Sequence, residues 1–101
     1  MKQLYFQVMD PNGLHVRPSC MVAECLKRYH CDSFIEWGKK VVKGKDLASI
    51  RKLQVPRGEI ILFSLRGEQE EEAYEDLKML LERLQGKDGI KVERNEKNEN
   101  V

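Results

Sequence analysis

The chain has 101 residues, of which 41% are hydrophobic and 35% charged, a mixture that fits one domain with one core and excludes disorder throughout. Eighteen lysines and arginines against 17 aspartates and glutamates leave a net charge of +1, which argues against a non-specific nucleic-acid binder. The apolar runs are too short to span a membrane, and no secretory signal is apparent at the start.

Leu4, Phe6 and Val8 alternate with Gln3, Tyr5 and Gln7, which predicts a half-buried strand. Asp10-Pro11-Asn12-Gly13 ends it in a turn, with Asn12 and Gly13 suited to positive φ. A helix is predicted from about Val16, with Pro18 in its first turn, where a missing N–H leaves no helical bond unmade. Ser19, Val22, Ala23, Leu26 and His30 fall on its core face. Val16 and Cys20 lie on another stripe with Glu24 and Lys27 and form a small exposed apolar patch beside the loop.

Residues 33–37 and 40–43 read as a hairpin around Gly38-Lys39. Which face of its first arm is buried stays open, because Phe34, Ile35 and Trp37 break strict alternation. Asp46 is an N-cap for a short helix carrying Leu47, Ile50 and Leu53. After the turn Val55-Pro56-Arg57-Gly58, residues 60–65 (IILFSL) form the strongest strand, expected at the centre of the sheet. The last helix opens on Glu70, Glu71 and Glu72, buries Ala73, Leu77, Leu80, Leu81 and Leu84, and stops near Gly86. The order is β-α-β-β-α-β-α. It predicts an α+β fold with a four-stranded antiparallel sheet and three helices on one face. Residues 1–85 are the expected domain, and residues 86–101 a flexible polar tail.

The segment Pro11-Asn12-Gly13-Leu14-His15-Val16-Arg17-Pro18 carries the chemistry. His15 ends a loop directly before a helix. Imidazole is both nucleophilic and the side chain that exchanges protons most readily near neutral pH. The first N–H groups of a helix lack partners and attract phosphate, and Arg17 adds charge-assisted bonds to the same oxygens. Gly13 keeps bulk away from the imidazole. Asn12, Gly13, Val16 and Pro18 are therefore expected to support a phosphate site. The alternative is that His15 is only a surface residue or a cap. Ser19 lies four residues on, but neither an orienting acid nor an oxyanion hole can be named, so a hydrolase is disfavoured. Cys20, Cys25 and Cys31 contain no CxxC pair and read as reduced thiols of a cytoplasmic protein, with no metal site.

The stretch PNGLHVRPS resembles the active-site signature of the HPr family, the histidine-containing phosphocarriers of the bacterial sugar phosphotransferase system. The likeness runs to about residue 85 and includes Gly44-Lys45, the PxG turn, Arg66-Gly67 and the acidic start of the last helix. It implies an HPr-like open-faced β-sandwich. It also implies that Nδ1 of His15 takes a phosphoryl group from phosphorylated enzyme I and passes it to the A domain of a sugar-specific or regulatory acceptor, with Arg17 assisting. Such a carrier is not a stand-alone enzyme, has no cofactor beyond the transient phosphoryl group, and is expected to be monomeric. The implied docking surface comprises Val16, Cys20 and Lys27 of the first helix, Leu47, Ala48, Arg51 and Lys52 of the short helix, and Lys45 nearby. Apolar anchors ringed by cations suit acidic partners.

Asp46 stands where many HPr proteins of Gram-positive type have a regulatory serine. Two readings stay open: a cap that fixes the helix, or a permanent charge that partly imitates phosphoserine and weakens docking to enzyme I. The second would make the chain a regulatory protein-binding module of the HPr fold with no role in sugar transport. An RNA-binding α/β domain is a third class, disfavoured by the charge balance and by the lack of paired aromatics in the central strand.

Overall fold

A computed structural model of the chain describes residues 1–85 and 90–95. Its elements are β1 (Lys2–Gln7), α1 (Val16–Lys27), β2 (Asp32–Trp37), β3 (Lys40–Lys43), α2 (Leu47–Leu53), β4 (Ile60–Arg66), α3 (Glu70–Gln85) and β5 (Ile90–Asn95). The strands form one antiparallel sheet in the order β3-β2-β4-β1-β5. The apolar segment β4 is its central strand, as its composition predicts.

Alternation along the strands decides which face is covered. Leu4, Phe6, Ile35, Ile61, Phe63 and Leu65 point to one side and are buried there with Val22 and Leu26 of α1, Ile50 and Leu53 of α2, and Leu77 and Leu81 of α3. Each such large side chain removed from water contributes about 1.5–3 kcal/mol. The opposite face carries Phe34, Val41 and Ile60, which stay exposed. All three helices therefore lie on one side of the sheet, in an open-faced sandwich. The ambiguous arm resolves with Ile35 inward and Phe34 outward, while Trp37 leans against the core edge.

Two sequence expectations need correction. The composition of residues 86–101 predicts a polar tail, and four strands in all. Instead Ile90–Asn95 pairs antiparallel with β1, Tyr5 opposite Val92 and Leu4 opposite Glu93, as a fifth strand. The alternation Ile90-Lys91-Val92-Glu93 carries that signal weakly. Pairing satisfies the backbone groups that β1 would otherwise present at a sheet edge. Residues 86–89 and 96–101 of the expected tail lie outside the described residues.

His30 is also not a core residue. α1 ends at Lys27, and Arg28 and Tyr29 close it with N–H bonds to the carbonyls of Cys25 and Leu26. The chain then turns, so His30 is exposed. Its backbone instead holds the entry to α3: its N–H donates to Gln69 Oε1 at 2.8 Å, and its carbonyl accepts from Gln69 N–H. Cys25, which the pattern leaves off the core face, is buried in the core. Burial pushes its thiol up to about 11. All three cysteines are free thiols.

Candidate functional site

The loop between β1 and α1 is built around its first residue. Oδ1 of Asp10 accepts the N–H of Asn12 at 2.8 Å, and the Asp10 carbonyl accepts the N–H of Gly13 at 2.8 Å. This Asx turn reverses the chain. Gly13 follows at φ +71°, and a Cβ there would stand 2.3 Å from the Val55 carbonyl oxygen. That oxygen accepts the N–H of Leu14 at 2.8 Å. The loop is thereby stapled to the chain leaving α2, and Leu14 is buried beneath it.

His15 comes next, in extended backbone at the N-cap position of α1, and no side chain caps this helix end. The first-turn N–H groups of Val16 and Arg17 are of the kind that a helix leaves without an internal partner. Pro18, in the same turn, has no N–H. The ring of His15 is about one-third exposed. Its Nε2 lies 3.2 Å from Oδ2 of Asp10, and among the described residues Nδ1 has no hydrogen-bond partner. The Asn12 N–H and then His15 hold the Asp10 carboxyl below the usual carboxylate range, so it is ionised at neutral pH. An ionised carboxylate can only accept, so Nε2 carries the proton and donates.

A cleft of about 170 Å³ opens beside the ring, lined by Asp10, His15, Arg17, Pro18, Arg83 and Leu84. Arg83 comes from the last turn of α3, and Arg83 and Arg17 are both exposed at this end of the molecule. The sequence reading misses Asp10 and Arg83. Asp10 was legible as the first residue of an Asx turn, but not the reach of its second oxygen to the ring. Arg83 is 68 positions from His15, and only the packing of α3 against α1 brings it near. Ser19 is turned inward, with Oγ donating to the Leu14 carbonyl at 3.3 Å, so it supplies no nucleophile.

The expected docking residues divide. Val16 is half exposed, Cys20 is partly buried, and both lie at the His15 end of α1. Leu47 packs partly into the core, whereas Ala48, Arg51 and Lys52 are exposed on α2. Two bonds fix how α2 runs beside α1. The Lys45 ammonium, just before α2, donates to the Tyr29 carbonyl beyond the end of α1 at 2.8 Å. Val55, just after α2, accepts from Leu14 before α1 begins. The two helices are thus antiparallel, and the cationic last turn of α2, Arg51 and Lys52, lies towards His15. Lys45 does not join the site, because it closes the far end of α1. Lys27 is also at that end, about 18 Å along the axis from His15 at 1.5 Å per residue.

Asp46 caps α2. Its Oδ1 accepts the Ser49 N–H at 3.4 Å, and its Oδ2 accepts the Ser49 hydroxyl at 2.8 Å. These bonds hold its carboxyl below the ordinary range. No group of three or more potential metal ligands gathers among the described residues, and none of their helices is long and apolar enough to cross a membrane.

Comparison with known proteins agrees with this geometry. Residues 3–83 match the family described as the PTS HPr component phosphorylation site. The phosphocarrier protein HPr of Buchnera aphidicola is 31% identical over 85 residues, covering 84% of this chain and all of that protein. HPr of Borreliella burgdorferi is 38% identical over 71 residues, covering 70% of this chain and 83% of the relative. The crystal structure of a phosphocarrier protein HPr from Bacillus anthracis superposes with a TM-score of 0.69 at 35% identity, covering 77% of this chain and 93% of that one. The chain belongs to the HPr family of the phosphotransferase system.

Proposed function

We propose that the protein is a phosphocarrier that accepts a phosphoryl group on His15 from phosphorylated enzyme I and delivers it to the A domain of a sugar-specific or regulatory acceptor. One observation carries this reading: an accessible imidazole stands at an uncapped helix N-terminus with two arginines lining the same cleft. Backbone N–H groups and guanidinium groups are the donors that a phosphoryl group's equatorial oxygens require. His15 is about one-third exposed and both arginines face solvent, so the group is held at the surface and not buried. That suits a carrier, which must release its cargo when a partner brings a nucleophile into line. Val16 and Cys20 of α1, with Ala48, Arg51 and Lys52 of α2, border the site and are suited to an acidic partner face. No bound cofactor enters the chemistry. The carrier acts as a monomer in the cytoplasm, docking in turn on donor and acceptor.

The test is direct. Incubation with phosphoenolpyruvate and enzyme I should add one acid-labile phosphate, and His15→Ala should abolish it. A wild-type chain that takes no label, or a His15→Ala chain that keeps it, would overturn the reading.

The regulatory alternative rests on the fixed charge of Asp46. α2 spans seven residues, about 10 Å, and Asp46 is at the end away from His15. That is about one Debye length at 0.1 M salt. Salt therefore weakens the field of this charge at the far end of α2, and its effect on transfer would act chiefly through docking. Both Asp46 oxygens also accept bonds from Ser49, which favours the cap.

A further inference from the structure

Asp10 directly precedes the stretch PNGLHVRPS, which begins at Pro11. Asp10 makes the single described hydrogen bond to the His15 ring. We propose that Asp10 is a positioning residue for phosphoryl transfer: it holds the His15 imidazole with its proton on Nε2 and so leaves the Nδ1 lone pair as the nucleophile. This rests on the phosphocarrier reading above.

Two features make the contact more than a chance approach. The carboxylate is itself fixed, because Oδ1 is held by the Asn12 N–H within the turn while Oδ2 faces the ring. One side chain thus shapes the loop and sets the imidazole on it. The ring is also held from the side opposite the reaction. Nε2 and Nδ1 lie on different edges of the imidazole, so the nitrogen without a described partner is the one left to meet phosphorus.

The balance of the step follows. The Nδ1 lone pair forms the new bond to phosphorus as the bond from phosphorus to the donor breaks, and that electron pair stays with the donor. The Nε2 proton does not leave. The ring gains positive charge as the N–P bond forms, with an ionised carboxylate 3.2 Å from Nε2. On delivery Nδ1 takes the pair back, and the ring returns to its neutral form with the proton still on Nε2. Arg17 and Arg83, the other charged groups lining the cleft, are left to the phosphoryl oxygens.

Asp10→Asn tests this on the full chain. An amide keeps an oxygen for the Asn12 N–H and turns its NH₂ to the ring, where it donates to Nε2 and drives the proton to Nδ1. Nitrogen NMR of ¹⁵N-histidine-labelled protein at about pH 8, where imidazole is ordinarily neutral, reads the tautomer. The wild type should show the Nε2–H form and Asp10→Asn a shift to Nδ1–H, with phosphorylation by enzyme I slowed at least about tenfold. An unchanged tautomer or an unchanged rate in the folded variant overturns the proposal. Asp10→Ser covers the case in which Asp10→Asn does not fold: serine still accepts the Asn12 N–H but is too short for the ring. A wild-type rate in Asp10→Ser would then overturn it. Should the wild type itself take no phosphate, the carrier reading fails, and the NMR comparison still decides what Asp10 does to the ring.

Discussion

α1 and α2 both start after a residue in extended backbone, His15 at φ −83° and Asp46 at φ −101°, yet only α2 has a side-chain cap. Asp46 bonds the N–H and the hydroxyl of Ser49 and closes its helix with its own carboxylate. At α1 the carboxylate of Asp10 is spent on the turn and on the His15 ring, and the helix end is left without a side-chain cap. A cap is ordinarily worth about 1 kcal/mol, so leaving one out has a cost, and the difference shows where the molecule accepts it. The stability forgone at α1 is recovered around it, through the Gly13 turn, the Leu14–Val55 staple and the Ser19–Leu14 bond. A closed end fixes a helix, whereas an open end keeps donors for an incoming anion.

Removing His15, as described above, has the largest effect on function, and Asp10→Asn the next. The largest effect on stability is expected from breaking the support of the open end. In Gly13→Ala the new methyl meets the Val55 carbonyl oxygen at 2.3 Å, with φ at +71°. Both the strain and the displaced staple count, for a loss of about 2–4 kcal/mol. Urea unfolding measures it. A variant as stable as the wild type would mean that the staple does not support the loop.

Much of this was legible in the sequence, for reasons that differ by element. Strand β4 and helix α3 announce themselves because long apolar patterns report burial directly. The His15 site was legible because a loop, a histidine and a helix start are adjacent in the chain. Arg83 was not, because it reaches the cleft only through tertiary packing. The fifth strand was hidden by its polar composition, since an edge strand is held by backbone pairing that leaves little trace in side-chain type. His30 misled because helical periodicity continues in the sequence past the point where Arg28 and Tyr29 close α1.

The closed end offers the next test. Asp46→Ala removes the cap and should lower the melting temperature by a few degrees. The pH dependence has a definite sign. The carboxyl titrates lower in the folded chain than its ordinary 3.8, so its contribution is present above that value and is lost as pH falls through the folded one. Wild type and Asp46→Ala should therefore converge in strong acid. Asp46→Ser separates cap from charge: serine also caps, so stability should largely recover and the rate of phosphorylation by enzyme I should stay unchanged. A clearly faster rate would revive the regulatory reading.

The smallest effect is expected at the other end of α2, the end stapled to the His15 loop. Gln54 closes the helix at φ 53° and ψ 47°, the only non-glycine residue with positive φ among the described residues. A left-handed conformation costs an ordinary L-residue about 1–2 kcal/mol, and glycine avoids it at some expense in chain entropy. The Gln54 N–H bond to the Arg51 carbonyl needs no side chain, so glycine can keep it. Gln54→Gly should accordingly stabilise the chain by about 0.5–1 kcal/mol, read as a higher urea midpoint with an unchanged slope. A lower midpoint would mean that the Gln54 side chain, exposed beside Ala48, Arg51 and Lys52 in the groove along α2, holds that turn more firmly than the backbone strains it. The anchoring of the open helix end through Val55 would then depend on a side chain of α2 as well as on its backbone.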